Sequence, residues 1–134
     1  MKLLLDTHVA MWMIGGFDFI DKDVKELIMD NKNDIYYSTV TTWEIEIKHL
    51  KKPNKMMISG NNFANLCEQA GFININIKNE HINELKNIIP IDESIQHNDP
   101  FDRMLLAQAR SENIILITHD KKFKNYNDNH LLFC

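Results

Sequence analysis

Three consecutive leucines near the start of the chain, at positions 3 to 5, are followed directly by the carboxyl group of Asp6. An unbroken apolar run of this kind is typical of a central parallel strand that is buried on both faces. In open sheets of alternating strands and helices, binding sites form where such strands end. The segment from His8 to Ile14 is apolar at helical density and is closed by two glycines. The chain therefore opens with a strand, an acid and a helix, and we expect a site to form around Asp6.

Apolar strands and amphipathic helices alternate along the rest of the chain. We predict further strands at 34–38, 72–77, 114–118 and 131–133, and helices at 21–32, from 39 or 41 to just before Pro53, 59–71, 80–89 and 99–112. Alternation of this type predicts a mostly parallel sheet with right-handed crossovers. A length of 134 residues suits one domain with one core.

The helix that follows the second predicted strand carries an acid beside its apolar residues. We expect its buried stripe to consist of Val40, Trp43, Ile47 and Leu50. Glu44 would then lie at the edge of this stripe, close to the end of the preceding strand.

A second apolar strand, 114–118, also leads into an acid, Asp120. If this strand lies beside the first, Asp6 and Asp120 share one edge of the sheet. Asp102 lies on the apolar face of the helix before that strand, and a carboxylate in such a place is costly unless something compensates it. The coincidence of two strand-end acids with Asp102 and Glu44 predicts a single site made of all four.

Converging carboxylates favour a bound cation. Two of them about 4 Å apart repel by roughly 4 kcal/mol at an effective dielectric constant near 20, so they protonate, separate or bind a metal. An all-oxygen site without cysteine ligands selects Mg²⁺ or Mn²⁺ rather than zinc. Such an ion activates water and stabilises the charge that develops on a phosphodiester. With a net charge of −4, the chain would need this ion or local basic patches to bind a nucleic acid.

Each candidate residue also has a plainer interpretation, which remains open. Asp99 is a good N-cap for the helix that begins at Pro100, and Asp102 could simply complement the helix dipole. Asp120 could be an ordinary turn residue, and Glu44 a solvated helix residue. The histidines near these acids in the sequence, His8, His97 and His119, could transfer protons or contact phosphate, but we expect His97 and His119 to be polar loop or surface residues. The lysines that could contact phosphates, or could simply form a solvated face, are Lys48, Lys51, Lys52, Lys55, Lys121, Lys122 and Lys124.

Taken in order, these segments resemble the PIN-domain family, and more closely the VapC-type toxins of bacterial type II toxin–antitoxin pairs. The resemblance covers nearly the whole chain. It rests on residues 3–8, on 38–45, on 99–103 leading into 106–109, and on 117–120.

The resemblance implies a metal-dependent ribonuclease formed by a single PIN-like α/β domain over residues 1–134. Its mostly parallel central sheet would have four to five strands flanked by helices. The resemblance also implies a homodimer, neutralised by a cognate antitoxin that occupies the acidic pocket. The catalytic and metal-binding residues that it implies are Asp6, Asp102, Asp120 and, directly or through water, Glu44. Asp99 ranks below Asp102 as a ligand, Thr118 would orient a ligand or a metal-bound water, and His8 stands where many relatives have asparagine.

Two other classes of protein are compatible with these residues. One is a phosphatase or a receiver-like protein built on strand-end acids, and the other is a catalytically silent module whose acids hold a basic partner. The two cysteines, Cys67 and Cys134, lack metal-ligand spacing, and no apolar stretch approaches the roughly 20 residues of a membrane helix. We therefore expect a cytoplasmic protein that does not associate with membranes.

Overall fold

The computed structural model describes all residues from Met1 to Cys134. The strands are β1 (Lys2–Leu5), β2 (Asp34–Ser38), β3 (Ile73–Ile75), β4 (Ile115–Thr118) and β5 (Leu131–Phe133). The α-helices are α1 (Thr7–Gly15), α2 (Lys22–Met29), α3 (Thr39–Lys51), α4 (Gly60–Gln69), α5 (Asn79–Glu84) and α6 (Pro100–Glu112), and short 3₁₀ helices span Leu85–Asn87 and Lys121–Asn125. None of these helices combines the length and the apolar character that crossing a bilayer requires.

All five strands are parallel and lie in the order β3-β2-β1-β4-β5. The predicted α/β fold class is confirmed, and the sheet has the larger of the two predicted numbers of strands. The chain winds from β1 towards β3 on one side and continues through β4 to β5 on the other. The topological switch point therefore lies between β1 and β4, where open sheets place their ligands. Receiver domains have the order 2-1-3-4-5, so this order excludes the receiver alternative.

The opening leucines explain why β1 is central. Leu3 and Leu5 point to one side of the sheet and pack with residues of α1, α2 and α4, whereas Leu4 points to the other side and packs with residues of α6. All three side chains are fully buried. Burying one leucine contributes roughly 1.5–3 kcal/mol, and only a strand covered on both faces can bury three in succession.

The buried face of α3 differs from the predicted stripe by one position. Its buried residues are Val40, Thr41, Glu44 and Ile45. Trp43 is 55% exposed and Leu50 is 73% exposed, so the predicted stripe was wrong at both. The ring of Trp43 packs edge-on against Phe101 at the surface, with ring centroids 5.0 Å apart. As a result, Glu44 faces the interior rather than the edge of the helix.

Candidate metal site at the switch point

Asp6 links the end of β1 to the start of α1 and is 4% exposed. As the N-cap of α1, its Oδ1 accepts a 2.9 Å hydrogen bond from the backbone N–H of Val9. Its Oδ2 accepts a 2.5 Å hydrogen bond from the hydroxyl of Thr118. Burial raises the pKa of Asp6 above its ordinary value, and the hydrogen bonds from Thr118 and Val9 oppose that rise. The negative charge of Asp102 adds to the rise in pKa, so these two carboxyl groups interact.

Thr118 ends β4 and connects Asp6 to Asp120. While its hydroxyl donates to Asp6, its Oγ1 accepts a 3.0 Å hydrogen bond from the backbone N–H of Asp120. The side chain of Asp120 caps the 3₁₀ helix Lys121–Asn125 by accepting a 2.9 Å hydrogen bond from the N–H of Lys122. The two strand-end acids are therefore joined through one buried hydroxyl, as expected for neighbouring parallel strands.

Asp102 and Asp120 meet beside a histidine. Nε2 of His97 lies 2.9 Å from Oδ2 of Asp102, and one potential ligand atom from each of the three residues lies within 4.8 Å of the other two. Burial raises the pKa of Asp102, the hydrogen bond from His97 opposes this, and the charges of Asp99 and Asp120 raise the pKa further. Carboxyl groups this close are stabilised by a proton or by a cation between them.

His97 lies on a loop, as one part of its prediction had it, but it is buried, so its interpretation as a surface residue was wrong. It is 5% exposed, and its ring packs edge-on against Phe123 with centroids 5.0 Å apart and at a tilt against Tyr126 with centroids 5.6 Å apart. The segment between Ile88 and Asp99 is irregular and has no hydrophobic periodicity that could indicate burial. Its position five residues before Asp102 was the only hint in the sequence.

Glu44 reaches the site from α3 and is 4% exposed. Its Oε1 accepts a 2.6 Å hydrogen bond from the hydroxyl of Thr7, the residue that follows Asp6. Its Oε2 forms a 2.6 Å ion pair with Nζ of Lys48, one helical turn further along α3. The carboxylate of Glu44 is therefore held at the start of α1, next to the end of β1. Sequence reasoning did not single out Thr7, although its position directly after Asp6 was a usable signal.

The structure thus brings the four predicted acids to one edge of the sheet, two of them in direct proximity and two linked to that pair through threonines. Asp102 and Asp120 meet directly, together with His97. Asp6 is connected to this pair through Thr118, and Glu44 lies beyond Asp6, connected to it through Thr7. Glu44 and Asp6 do not belong to the group of ligand atoms that lie within 4.8 Å of one another.

The model of the PIN-domain family matches residues 3–129, which is nearly the whole chain. The chain belongs to the PIN-domain family. Its carboxylate-lined switch point is therefore the candidate active site of this PIN domain.

Several solved structures have a similar fold. VapBC2 from Rickettsia felis bound to a DNA fragment from its promoter gives a TM-score of 0.70 at 18% identity, over 100% of this chain and 98% of that one. DNA-bound VapBC from Salmonella typhimurium gives a TM-score of 0.69 at 14% identity, over 99% of this chain and 98% of that one. VapBC-1 from nontypeable Haemophilus influenzae gives a TM-score of 0.63 at 17% identity, over 100% of this chain and 97% of that one. No curated protein matches the chain significantly in sequence.

The accessory residues of this PIN domain have ordinary structural partners. Asp99 caps α6, since its Oδ1 accepts a 2.9 Å hydrogen bond from the N–H of Phe101. His8 and His119 are exposed and flank the indole of Trp12, with ring centroids 6.0 Å and 5.1 Å from it. The exposure of His119 agrees with its prediction as a surface residue, and the cap agrees with the plainer interpretation of Asp99.

The lysines lie in two exposed groups near the ends of α3 and β4. Lys48, Lys51, Lys52 and Lys55 line a surface groove of about 340 Å³ at the end of α3. Lys121 and Lys122 are exposed at the start of the 3₁₀ helix that follows Asp120. Lys48 differs from the others because its ammonium group is paired with Glu44 inside the PIN-domain site.

The groups at the switch point suit a hard divalent cation. The donors are carboxylate oxygens, which Mg²⁺ and Mn²⁺ prefer, and neither cysteine is among them. The third member of the group is His97, whose Nε2 is in contact with Asp102, so two of its three members are carboxylates. A cation would also favour the ionised forms of Asp6 and Asp102, the two groups whose pKa values burial raises. The residues present therefore fit the metal that the resemblance implies.

Proposed function

We propose that this PIN-domain protein is a metal-dependent endoribonuclease and the toxin of a toxin–antitoxin pair. The observation that carries the proposal is the meeting of Asp102 and Asp120 within 4.8 Å, at the edge of the sheet where buried Asp6 also ends its strand. Membership of the PIN-domain family supports hydrolysis of a phosphodiester bond.

In this proposal Asp6, Asp102 and Asp120 hold Mg²⁺ or Mn²⁺, with Glu44 acting directly or through a water molecule. The bound ion supplies positive charge to the scissile phosphate and lowers the pKa of a water molecule. Thr118 fixes the carboxylate of Asp6. Water is the proposed nucleophile for in-line attack, because Ser38, the serine nearest to Glu44 in the chain, is buried and donates its hydroxyl to Gln108 at 2.6 Å.

The lysines near the site favour the binding of a polyanion despite the net charge of −4. Lys48 balances Glu44, which leaves Lys51, Lys52, Lys121 and Lys122 free of ion pairs with acids and available for phosphates. Neutralising phosphates with lysines supplies most of the non-specific affinity for nucleic acid. We therefore propose a nucleic acid as the substrate class, and RNA within that class because the chain resembles ribonuclease toxins.

The proposed partner is a cognate antitoxin. The similar structures from Rickettsia felis and Salmonella typhimurium are VapBC complexes bound to DNA, and this likeness supports an antitoxin for the present chain. We propose that the antitoxin covers the acidic site and that the toxin forms a homodimer. A short reading frame beside this gene whose product co-purifies with the chain and stops RNA cleavage would support this part of the proposal.

Cleavage of single-stranded RNA in Mg²⁺, in Mn²⁺ and in EDTA tests the enzymatic proposal. We expect cleavage only with metal, and a loss of more than about 100-fold in Asp102→Asn, since changes even outside the ligand set commonly cost 10- to 100-fold. Asp23→Asn removes the same charge from an exposed position on α2 and should cleave RNA normally. Undiminished cleavage by both Asp6→Asn and Asp102→Asn, with the fold retained, would falsify the mechanism.

The same preparation separates the rival functions. A phosphatase would hydrolyse a generic phosphomonoester in preference to RNA. A catalytically silent binding module would bind its partner without coordinating Mn²⁺. Calorimetric titration with Mn²⁺ in the absence of RNA therefore distinguishes a docking surface from a metal site.

A further inference from the structure

A buried histidine touches the candidate metal site from outside its four acids. His97 lies on the irregular segment before α6, and its Nε2 is 2.9 Å from Oδ2 of Asp102. The other ring nitrogen, Nδ1, is also buried and has no hydrogen-bond partner. A buried polar atom without a partner costs free energy, so this placement calls for an explanation.

The surroundings determine which nitrogen carries the proton. An ionised carboxylate only accepts hydrogen bonds, so Nε2 is the donor to Asp102. The ring packs against the aromatic rings of Phe123 and Tyr126, where an N–H group on Nδ1 would find no acceptor. Leaving a bare lone pair at Nδ1 is less costly than burying an unpaired donor or a second charge there. The hydrogen bond to Asp102 is therefore donated by Nε2–H, and Nδ1 is left without a hydrogen-bond partner.

The ring is fixed by the chain that carries Asp120. Phe123 lies in the 3₁₀ helix that Asp120 caps, and Tyr126 follows that helix. Asn125, from the same helix, donates hydrogen bonds to the backbone oxygens of residues 92 and 95 at 3.0 and 3.2 Å, which anchors the segment before His97. The 3₁₀ helix after β4 and Tyr126 thus fix the orientation of the imidazole, and the imidazole donates its hydrogen bond to Asp102 of α6.

We propose that His97 is a positioning residue of the metal site. Its Nε2–H hydrogen bond holds the carboxylate of Asp102 in the orientation that faces Asp120. One oxygen of Asp102 accepts from His97, and the other would remain available to help hold a cation. This role rests on the proposed metal-dependent function. Groups that orient ligating residues from outside commonly contribute 10- to 100-fold to metal affinity.

A second buried histidine provides a matched control. Nε2 of His81 lies 2.8 Å from Oε1 of Glu112, and His81 is fully buried, so the chemistry of the contact is the same. Glu112, however, is the last residue of α6, and Asp102 lies in its first turn. Substitutions of His81 therefore report what losing a buried histidine–carboxylate contact does to the fold alone.

The test compares Mn²⁺ affinity, measured by calorimetry without RNA, in variants that keep or remove the donor. His97→Phe keeps a ring against Phe123 and Tyr126 but has no N–H, and we expect Mn²⁺ affinity to fall about 10- to 100-fold. His97→Gln places its amide nitrogen near the position of Nε2 and should bind Mn²⁺ close to the wild-type value. His97→Asn ends at the position of Nδ1, does not reach Asp102, and should lose affinity as His97→Phe does. His81→Phe should bind Mn²⁺ normally even if its melting temperature falls.

Equal Mn²⁺ affinity in the wild type, His97→Phe and His97→Asn would overturn the proposed role while leaving the metal site intact. A wild-type protein that binds no Mn²⁺ would overturn the proposed function and, with it, this role. Nitrogen chemical shifts of the wild-type imidazole, measured by NMR on the metal-free protein, supply an independent check that needs no variant. A proton on Nδ1 instead of Nε2 would contradict the hydrogen bond to Asp102.

Discussion

The hydroxyl of Thr118 donates a 2.5 Å hydrogen bond to Oδ2 of Asp6, and it links the carboxyl ends of two neighbouring parallel strands. The same oxygen accepts the backbone N–H of Asp120 at 3.0 Å. Thr118 is fully buried, so neither contact can be replaced by bulk water. A single side chain therefore determines how the two strand-end acids are placed relative to each other.

Thr118→Val keeps the shape of this side chain and removes the hydroxyl. We expect the free energy of unfolding to fall by roughly 1–3 kcal/mol, because a buried carboxylate and a backbone N–H each lose a partner. Urea denaturation in EDTA measures the change. The matched control is Thr39→Val, in which the same substitution removes a half-buried hydroxyl whose hydrogen bonds to Asn74 and Asn76 are exposed to water and should change stability by less than about 0.5 kcal/mol. Equal effects of the two substitutions would show that the contact with Asp6 contributes little.

Asp6→Asn tests the cost of burying a charge at the switch point. The folded-state pKa of Asp6 lies above its ordinary value of 3.8, mainly because of burial. The stability associated with its proton is therefore fully present below the unfolded pKa and is lost as the pH rises through the folded pKa. At pH 7 in EDTA we expect Asp6→Asn to melt at a higher temperature than the wild type, with the difference shrinking as the pH falls towards 3.8.

Thermal melts over a pH series provide this measurement, and exposed Asp23→Asn serves as the control for a lost charge. A lower melting temperature for Asp6→Asn at every pH would mean that the hydrogen bonds from Thr118 and Val9 stabilise the fold more than burial of the charge destabilises it.

The strands and their acids could be predicted because their signals are local. β2 and β5 have the predicted bounds. Asp6 and Asp120 lie at the ends of neighbouring strands, as predicted, because an apolar run followed by a carboxylate indicates both a buried strand and the residue at which it ends. The third strand was predicted too long, because the alternation through residue 77 continues beyond the three residues that pair with β2.

The rotation of α3 and the burial of His97 could not be predicted, because long-range contacts decide both. Hydrophobicity alone placed Trp43 inside, whereas a partner on another helix, Phe101, covers it at the surface. Glu44 is tolerated in the interior because Thr7 and Lys48 bind both of its oxygens. The rings that cover His97 come from more than twenty residues further along the chain, beyond the reach of any local pattern.

Asp99 can be tested as a cap or as a ligand with two substitutions. Asparagine caps helices about as well as aspartate, so Asp99→Asn should keep both the stability and RNA cleavage. Asp99→Ala removes the acceptor for the N–H groups of Phe101 and Asp102 and should lower the free energy of unfolding by about 1 kcal/mol. Denaturation and cleavage assays on both variants give the answer. Loss of cleavage in a stable Asp99→Asn would instead identify Asp99 as a metal ligand.

Lys48 and Lys51 lie on the same helix, but the structure gives them different surroundings. Nζ of Lys48 is 2.6 Å from Oε2 of Glu44, whereas Lys51 is exposed and has no acidic partner. Lys48→Met should therefore lower the Mn²⁺ concentration needed for half-maximal cleavage, because it removes a positive charge that competes with Mn²⁺ for the carboxylate of Glu44. Lys51→Met should leave the Mn²⁺ dependence unchanged and should reduce the slope of log affinity against log salt by about 0.7, the value for one phosphate contact on a single strand.

Cleavage as a function of Mn²⁺, together with RNA binding by a catalytically inactive Asp102→Asn background over a salt series, separates the two effects. Because the two lysines carry the same charge and lie three residues apart, their long-range influence on RNA is nearly the same, and only the contact with Glu44 distinguishes them. A reduced salt slope in Lys48→Met with an unchanged Mn²⁺ dependence would contradict this assignment. Lys48 would then contact phosphate, and its ion pair with Glu44 would give way when RNA binds.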